Sequence, residues 1–572
     1  MELQSESGLL AHGLIQDPGA VPLVLAVVGH RDPLPELLPA LEKNLRQQLE
    51  QLTYALPHTP LLMLNGLAEG IDTMAAHVFL DVVASDRQRR GAVAPHHQLV
   101  AALPKTPNDY RKDFQSTSAL EQLEELLNRS DGILHPGNCS DLAVPPAANG
   151  LQRPADDPIC YGQQGIFLVR HCFMLFAFYD GVETNLVGGT SQTVAMQKGE
   201  LHPLFVGVDE VLANREPGVL ITHQTPRHRS GSPRSNAGNV RFWDGAGEIQ
   251  GEGVALPSKL LTIPKKLEQI NACIGKPGFK PTCYDTAEGF HTKIWSYADK
   301  VASENKNLYE NWCRILIVTG LSLVLLAQLS PVVPGLFWAL LLLAFWLFPK
   351  LQKGPKLSFI EQRCLAECLT VQYLWIALGI DDDAADLFHT RSNKELGWIR
   401  NVLRGSRVQL LSFHSHEQLN KQAMIKASGW INGQVDYLGK RIRELRTHAE
   451  TWKRFAIALA ILAVAVATSE SLPNAPEGLQ SLVVVLLASL ASALAYSNLI
   501  GYAATADRFS RSLRQFQRGK DALAVIELAP GASASDQQVR RLIVVEAVGR
   551  EKLDELNDWV ASQLQRVYAP GA

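Results

Sequence analysis

The sequence predicts an α/β domain built on a doubly wound parallel sheet, followed by an α-helical membrane domain. Within the first 225 residues, short apolar runs alternate with segments of helical spacing, a pattern typical of parallel strands covered by helices. The second half contains long runs without a charged side chain. Charged residues make up only 19% of the 572 residues, below the usual quarter, so a large apolar surplus has to be placed.

The strands are predicted in order along the chain. Residues 21–28 are almost continuously apolar, which suits a central strand buried on both faces, and residues 34–52 follow with helical spacing. A second helix is predicted at 71–83, and a third opens after the glycines at 188 and 189. Further strands are predicted at residues 61–64, 97–104, 173–181, 202–208 and 218–226. Residues 225–242 and 244–253 are predicted to be loops.

Three of the predicted strands end in glycine-containing turns, at residues 29–31, 66–70 and 188–191. Glycine lets backbone N–H groups approach a phosphate, and a following helix N-terminus adds partial positive charge. The guanidinium group of Arg31 can donate two hydrogen bonds to a phosphate, and the hydroxyls of residues 190 and 191 are further donors. Each turn has a purely structural alternative, but three in succession favour a nucleotide-type pocket. The common dinucleotide and triphosphate loop motifs are absent from the sequence.

Several polar residues near these turns have two interpretations. Asp72 either faces the pocket or caps a helix, and Asp180 either approaches a ribose hydroxyl or caps the turn at Gly181. The segment with Tyr110, Arg111 and Asp113 either shapes the rim of the pocket or simply begins a helix. Arg227 and Arg229 either contact ligand phosphates or belong to a flexible loop.

Composition excludes several other classes of protein. A net charge of −3 argues against binding to a nucleic acid polymer. The eight cysteines form no C-x-x-C pair, which favours reduced, buried thiols. The H-x-H pair at residues 414–416 has no third ligand nearby, so we expect no metal site and no resident cofactor. Residues 1–20 are acidic and lack the apolar core of a secretory signal, which predicts a cytoplasmic first domain.

The apolar surplus lies in two predicted helical hairpins. Residues 315–349 contain no charged side chain and are interrupted near Pro331 and Pro334, and a second pair of runs covers 455–468 and 482–500. Both turns lack Lys and Arg, whereas the opposite ends are basic. The positive-inside rule therefore predicts a multi-pass membrane protein with both turns outside and both termini in the cytoplasm. The alternative is a pair of buried hairpins in a soluble protein.

The spans carry no ionisable side chain, which disfavours coupled transport and leaves an anchor or a pore built by oligomerisation. We therefore expect the lipid bilayer and other copies of the chain as partners. The sequence divides into six predicted parts: a nucleotide-sensing domain at 1–225, a loop-rich extension at 226–305, a first hairpin at 306–352, a helical insert at 353–453, a second hairpin at 454–503 and C-terminal helices at 504–572.

The segments GHRD, LNGLAEGIDTMAA, AALPKTPNDYRKDF, FYDG and GGTSQTV resemble the SLOG superfamily of Rossmann-like domains, which includes DprA and the LOG cytokinin-activating hydrolases. The resemblance covers roughly residues 20–225, and its most specific part runs from Gly66 to Asp72. It implies a site for nucleotides or nucleotide-derived signals. Together with the turns, it gives the candidate ligand-binding residues Gly29, His30, Arg31, Gly66, Glu69, Gly70, Asp72, Asp180, Gly188, Gly189, Thr190, Ser191 and Arg227.

The LOG hydrolases carry a G-G-x-G-T-x-x-E motif whose glutamate serves catalysis. In this chain, the segment from Gly188 to Val194 lacks both the second Gly-Thr and the glutamate. The resemblance therefore favours sensing over turnover, and we expect no catalytic residue.

The fusion of such a domain to membrane hairpins, together with the stretch RCLAECLTVQYLW, resembles SLATT-type membrane modules of bacterial conflict systems. The resemblance implies an effector of antiphage defence. A partner enzyme would make a nucleotide second messenger, and the oligomeric effector would permeabilise the inner membrane in abortive infection. Two alternatives stay open: a membrane-tethered nucleotide or NAD hydrolase or phosphoribohydrolase, and a ligand-gated ion channel.

Overall fold

The computed structural model describes residues 19–136, 156–184, 186–200, 218–228, 234–276, 278–279, 293–329, 334–380, 382–388, 396–413, 420–470, 476, 478–528 and 533–568. The chain forms two compact units. The first contains residues 1–281, 290–297 and 368–421, and the second contains residues 282–289, 298–367 and 422–572. The predicted strand at 202–208 and the H-x-H pair lie outside the described residues.

The first unit is built on an eight-stranded sheet with the order β4-β3-β2-β1-β5-β6-β7-β8. The first six strands pair in parallel, and β7 and β8 pair antiparallel at one edge. The strands are β1 (Leu23–Gly29), β2 (Leu61–Asn65), β3 (Gln98–Ala102), β4 (Gly132–Leu134), β5 (Met174–Tyr179), β6 (Val219–Gln224), β7 (Val240–Asp244) and β8 (Glu248–Ile249). The α/β, mainly parallel architecture predicted from the sequence is therefore confirmed.

Helices connect and cover the strands, because each apolar strand has to be buried on both faces. Successive residues of β1, from Leu23 to Val27, are almost completely buried. The helices of this part of the chain are α1 (Leu38–Ala55), α2 (Ile71–Arg90), α3 (Pro107–Tyr110), α4 (Thr117–Arg129), α5 (Asp156–His171), α6 (Thr190–Gln197) and α7 (Thr262–Ile274).

The prediction of loops beyond residue 225 is wrong for two segments. Residues 240–244 form β7 and pair antiparallel with β6, while Glu248 and Ile249 form β8. Phe242 explains why: its side chain is only 1% exposed, and it lies opposite Ile221 in the register. The glycines around these short strands hid them from sequence reasoning, because Gly-rich segments read as turns.

The chain reverses direction across the sheet between β1 and β5. From β1 it proceeds through β2 and β3 to β4 on one side, and then returns to β5 on the other side of β1. The connections that leave β1 and β5 therefore diverge, which leaves a crevice at their carboxyl ends. Open α/β sheets bind ligands at such switch points.

The first unit also contains a segment far along the chain. Helix α8 (Lys293–Leu329) and helix α9 (Pro334–Leu378) precede α10 (Ala384–Leu387) and α11 (Gly397–Phe413). Helix α11 packs against β1 and the residues before it: a Cβ atom on Gly405 would lie 2.9 Å from the carbonyl oxygen of Pro22, and Val408 is fully buried in the core. Residues 368–421 therefore complete the packing of the sheet.

Ion pairs hold this segment to α5. Asp386 accepts hydrogen bonds from Arg170, at 2.7 Å, and from Arg404, at 3.1 Å. Burial raises the pKa of Asp386, but the two guanidinium groups outweigh that effect and hold the pKa well below its ordinary value. Asp386 thus stays ionised, and it links a helix that precedes β5 to a segment more than 200 residues later.

The second unit is helical, and the helices that follow along the chain are α12 (Asn420–Glu470), α13 (Leu479–Ile500), α14 (Tyr502–Leu528) and α15 (Ala534–Tyr568). Three stretches among the described residues are long and apolar enough to cross a membrane: Lys293–Ala327, Ala423–Glu470 and Leu479–Leu528. Between 11% and 17% of their apolar windows is buried inside the protein, so these helices expose apolar faces that suit a lipid environment. The fourth predicted span, residues 336–348, is helical, but most of its side chains are outside the described residues, so two hairpins remain a prediction.

Aromatic and basic side chains meet at the ends of these stretches. The rings of Trp452 and Tyr496 lie 4.9 Å apart, and Nε of Arg314 donates to the hydroxyl of Tyr496 at 3.2 Å. Arg314 and Trp452 each precede an apolar run, and Tyr496 lies near the end of another. Aromatic and basic residues are typical of the membrane–water interface, so these contacts are compatible with a membrane protein.

We expect the full-length chain to sediment with membranes and to resist extraction by alkaline carbonate, because the three apolar stretches found among the described residues are mostly not covered by protein. The measurement is the share of the chain in the pellet after ultracentrifugation, with and without detergent. Recovery of folded chain in the detergent-free supernatant would contradict a membrane location.

Candidate functional site

A cavity of about 280 Å³ lies at the carboxyl ends of β1 and β5, at the switch point of the sheet. Its size is near the lower end of the range for small-molecule sites. It is lined by ten of the residues that the sequence singles out: Gly29, His30, Arg31, Asp72, Asp180, Gly188, Gly189, Thr190, Ser191 and Arg227. The three turns predicted to form one pocket therefore do converge.

Three further candidate residues do not line this cavity. Gly66 lies against two side chains that line the cavity. A Cβ atom there would lie 3.0 Å from Oδ2 of Asp72 and 2.5 Å from Nε2 of Gln164. Gly70 packs directly against the backbone of Arg31. Glu69 is exposed.

Gly188 is required where the chain passes α5. Its φ is +79°, a conformation that side chains disfavour, and a Cβ atom would lie 2.5 Å from Cβ of Tyr161 and 2.8 Å from the carbonyl oxygen of Pro158. The close approach brings the first turn of α6 next to the side of α5 that carries Tyr161.

Arg31 is held by a phenol rather than by a carboxylate. Its Nη2 donates to the hydroxyl of Tyr161 at 2.8 Å, and that hydroxyl donates in turn to Oδ2 of Asp113 at 2.6 Å. Lys105 pairs with Asp113 at 2.9 Å. Burial, followed by the hydrogen bond to Asp113, raises the pKa of Tyr161 to about 12, so the phenol stays neutral. Within the described residues, Arg31 has no carboxylate within ion-pair distance, and its charge is available to an anion.

Asp72 is the second residue of α2 and is only 9% exposed. Burial raises its pKa to about 7, against the opposing effects of Arg31 and of the backbone N–H groups of Ala68 and Gly29. Its Oδ1 atom is buried and has no hydrogen-bond partner among the described residues. A carboxyl group that is half protonated near neutral pH therefore lies beside the arginine.

His30 and Asp180 meet at the exits of β1 and β5. The backbone nitrogen of Asp180 lies 3.1 Å from Nε2 of His30, and Oδ1 of Asp180 lies 3.3 Å from the same nitrogen. Burial lowers the pKa of His30, which keeps the ring neutral although Asp180 opposes the shift. The carboxylate of Asp180 also accepts the N–H of Val182 at 3.1 Å. Asp180 therefore has the turn-capping role that the sequence left open, while it also lines the cavity.

The hydroxyls expected to donate to a phosphate have partners inside the protein. Thr190 donates to the carbonyl oxygen of Gly29 at 3.1 Å, and Ser191 and Thr184 share a hydrogen bond of 2.8 Å. Their contribution is to fix the first turn of α6 at the cavity, where Gly189 is the N-cap. The unpaired N–H groups and positive end of a helix favour an anion at this place.

Arg227 lines the opposite side and pairs with Asp32 at 2.7 Å. Its charge is therefore partly compensated, and Arg31 is the stronger anchor for an anionic group. Arg229 lies outside the described residues.

Sequence reasoning missed the wall that α5 provides. Tyr161, Gln164 and Leu168 line the cavity, and Nε2 of Gln164 donates to the carbonyl oxygen of Ala102 at 2.6 Å. Their spacing of three and four residues, just before the strand at 174–179, was the available signal for a helix with one face toward the sheet. Tyr110 and Asp113 do belong to the rim, since Tyr110 donates to the carbonyl oxygen of Gly66 at 3.0 Å.

The arrangement combines an arginine without a carboxylate partner among the described residues, a helix N-terminus, a carboxyl group that can hold a proton and the partly exposed ring of Tyr161. These are donors for a phosphoryl group and a flat surface for a sugar or base. The chain matches no model of a known protein family, and no curated protein is significantly similar to it in sequence.

Proposed function

We propose that the cavity at the switch point binds a nucleotide-derived signal and that the apolar helices carry out the response in the membrane. One observation carries the proposal: the guanidinium of Arg31 is oriented by Tyr161 and lies with the N-terminus of α6 in one crevice. Both features favour a phosphoryl group.

The three candidate spans support the membrane part of the proposal, because the chain combines a ligand crevice with exposed apolar helices. The resemblance to SLOG and SLATT modules adds the biological setting. We therefore propose a bacterial inner-membrane effector of antiphage defence, which a second messenger from a partner enzyme activates. Ligand binding would favour an oligomer that permeabilises the membrane, to the extent that the ligand prefers the active state.

The test uses the full-length chain in lipid vesicles, because residues 368–421 pack on the sheet and a fragment of the first 300 residues would lack them. We expect one member of a panel of mononucleotides, cyclic nucleotides, cyclic dinucleotides and ADP-ribose to bind and to trigger release of an entrapped dye. If the folded protein bound no member of the panel, that result would contradict the nucleotide proposal. Stepwise, ion-selective conductance without dye release would favour the ligand-gated channel instead.

One observation favours a hydrolase as the second candidate. Asp72, with a pKa of about 7, has the protonation behaviour of a general acid or base. The same panel distinguishes the two functions by chromatography. Release of a free base by the wild-type chain, abolished in Asp72→Asn, would establish turnover. Unchanged nucleotide after prolonged incubation would support a sensor rather than a hydrolase.

A further inference from the structure

One oxygen of the Asp72 carboxyl group lacks a hydrogen-bond partner. Among the described residues, Oδ1 is buried and accepts no hydrogen bond, and the residue lines the cavity. A buried polar atom without a partner costs free energy, and such atoms in native proteins call for an explanation. Because Asp72 lines the cavity, a ligand bound there comes next to this carboxyl group.

The groups that face Asp72 come from several elements. Arg31 approaches from the exit of β1, and Tyr110 approaches from α3. Gln164 of α5, which is neutral, meets Asp72 across Gly66. The backbone N–H groups of Gly29, at the end of β1, and of Ala68, in the turn before α2, also point to the carboxyl group. Arg31 is therefore the one charged side chain among the described residues that acts directly on Asp72.

A phosphoryl group bound to Arg31 would lie close to this carboxyl group. If Asp72 were ionised, two anions would share one arginine in a buried place, which is unfavourable. If Asp72 is protonated, its O–H can donate a hydrogen bond to a phosphoryl oxygen, and the repulsion disappears. The neighbouring arginine and the unpartnered oxygen thus favour the protonated acid in the complex.

We propose that Asp72 binds the phosphoryl group of the ligand as a neutral acid, so that the anionic nucleotide is taken up together with one proton. The inference rests on the proposed nucleotide site and adds to it: Asp72 becomes a specificity-determining donor that favours an acceptor such as a phosphoryl oxygen over an ammonium group, which can only donate. No covalent bond is made or broken, and the proton comes from solvent.

The direction of the pH dependence follows from the proton that the protein takes up together with the ligand. At low pH, Asp72 already holds its proton in the free protein, so binding takes up none and the affinity is constant. As pH rises through the titration range of Asp72, near 7, the free protein loses the proton that the complex requires. Affinity then falls by up to about tenfold per pH unit.

The experiment is calorimetry of the full-length chain in detergent between mildly acidic and mildly alkaline pH. Its probes are ADP-ribose, cyclic AMP and cyclic di-AMP. The pyrophosphate of the first and the phosphodiesters of the other two do not titrate in this range. Buffers with different ionisation enthalpies report the number of protons taken up. We expect uptake of about half a proton at pH 7, rising toward one at higher pH, with affinity falling in parallel.

Two variants sharpen the test. Asp72→Asn keeps a donor and cannot titrate, so its affinity should be independent of pH and its proton uptake zero. Asp81→Asn, on the same helix with a carboxylate that is 61% exposed, should behave like the wild type. The wild-type measurement stands alone if Asp72→Asn fails to fold.

The outcomes separate this inference from the function on which it rests. Tight binding of a probe with no proton uptake and no pH dependence overturns the role of Asp72 and leaves the nucleotide site intact. Proton uptake that persists in Asp72→Asn also overturns it, because another group then titrates. If no probe binds at any pH, the proposed nucleotide site itself fails.

Discussion

Replacing Arg31 with alanine is expected to weaken nucleotide binding about a hundredfold, or ~3 kcal/mol, because the site loses its main charged donor. The hydrogen bond to Tyr161 shows that the guanidinium is already oriented, so little side-chain entropy is lost when a phosphoryl group binds. Arg31→Lys retains the charge without the fork and should fall between the alanine variant and the wild type. The measurement is the dissociation constant of the nucleotide that the panel identifies.

The matched control for Arg31 is Arg129→Ala. Arg129 pairs with Glu125 one turn away on α4, and its side chain is 44% exposed. Its loss should leave binding unchanged, since exposed pairs contribute little. Arg31→Ala should also keep the thermal unfolding midpoint and the membrane fraction of the wild type. Undiminished ligand response in Arg31→Ala would place the phosphoryl group elsewhere.

Gly70→Ala is expected to lower the free energy of unfolding by about 2–4 kcal/mol and to disturb the site as well. Gly70 has a φ of +89° and is the N-cap of α2. A Cβ atom there would lie 2.5 Å from the carbonyl oxygen of Arg31, so the backbone that carries the arginine has to move. Chemical denaturation gives the stability, and calorimetry gives the loss of nucleotide affinity.

Gly91→Ala provides the comparison for Gly70. Gly91 ends the same helix with a φ of +62°, but a Cβ atom there would meet no other atom within 4 Å. The alanine variant should therefore show only the backbone cost of positive φ, about 1 kcal/mol, and normal ligand affinity. Equal effects of the two substitutions would mean that the contact with Arg31 is unimportant.

The parts of the fold that sequence reasoning predicted are those with strong local signals. The continuous apolar run before Gly29 suits a buried strand, and the turn after it places Arg31 at the end of that strand. Because parallel strands bring their carboxyl ends to one edge, the glycine turns at 66–70 and 188–191 were expected near Arg31. The cavity residues Gly188 and Asp72 were found in this way.

The remaining features depend on contacts that local pattern does not encode. Tyr161 belongs to a helix whose apolar spacing is weak, and its role becomes evident only when Gly188 brings α6 against it. Strand β7 was missed because it is only partly buried and lies among glycines, between β6 and the edge strand β8. The packing of Gly405 on Pro22 joins residues almost 400 positions apart, and no periodicity of either segment indicates the other.

That last contact has a consequence for how the protein is made. A nascent chain presents the whole stretch from β1 to β8 well before α11 has been synthesised, and it exposes the apolar run at 315–329 in between. The sheet therefore receives Val408 and its neighbours only after the apolar run at 315–329 has left the ribosome. A chain truncated before residue 397 is thus expected to leave part of the sheet core without the residues that normally cover it.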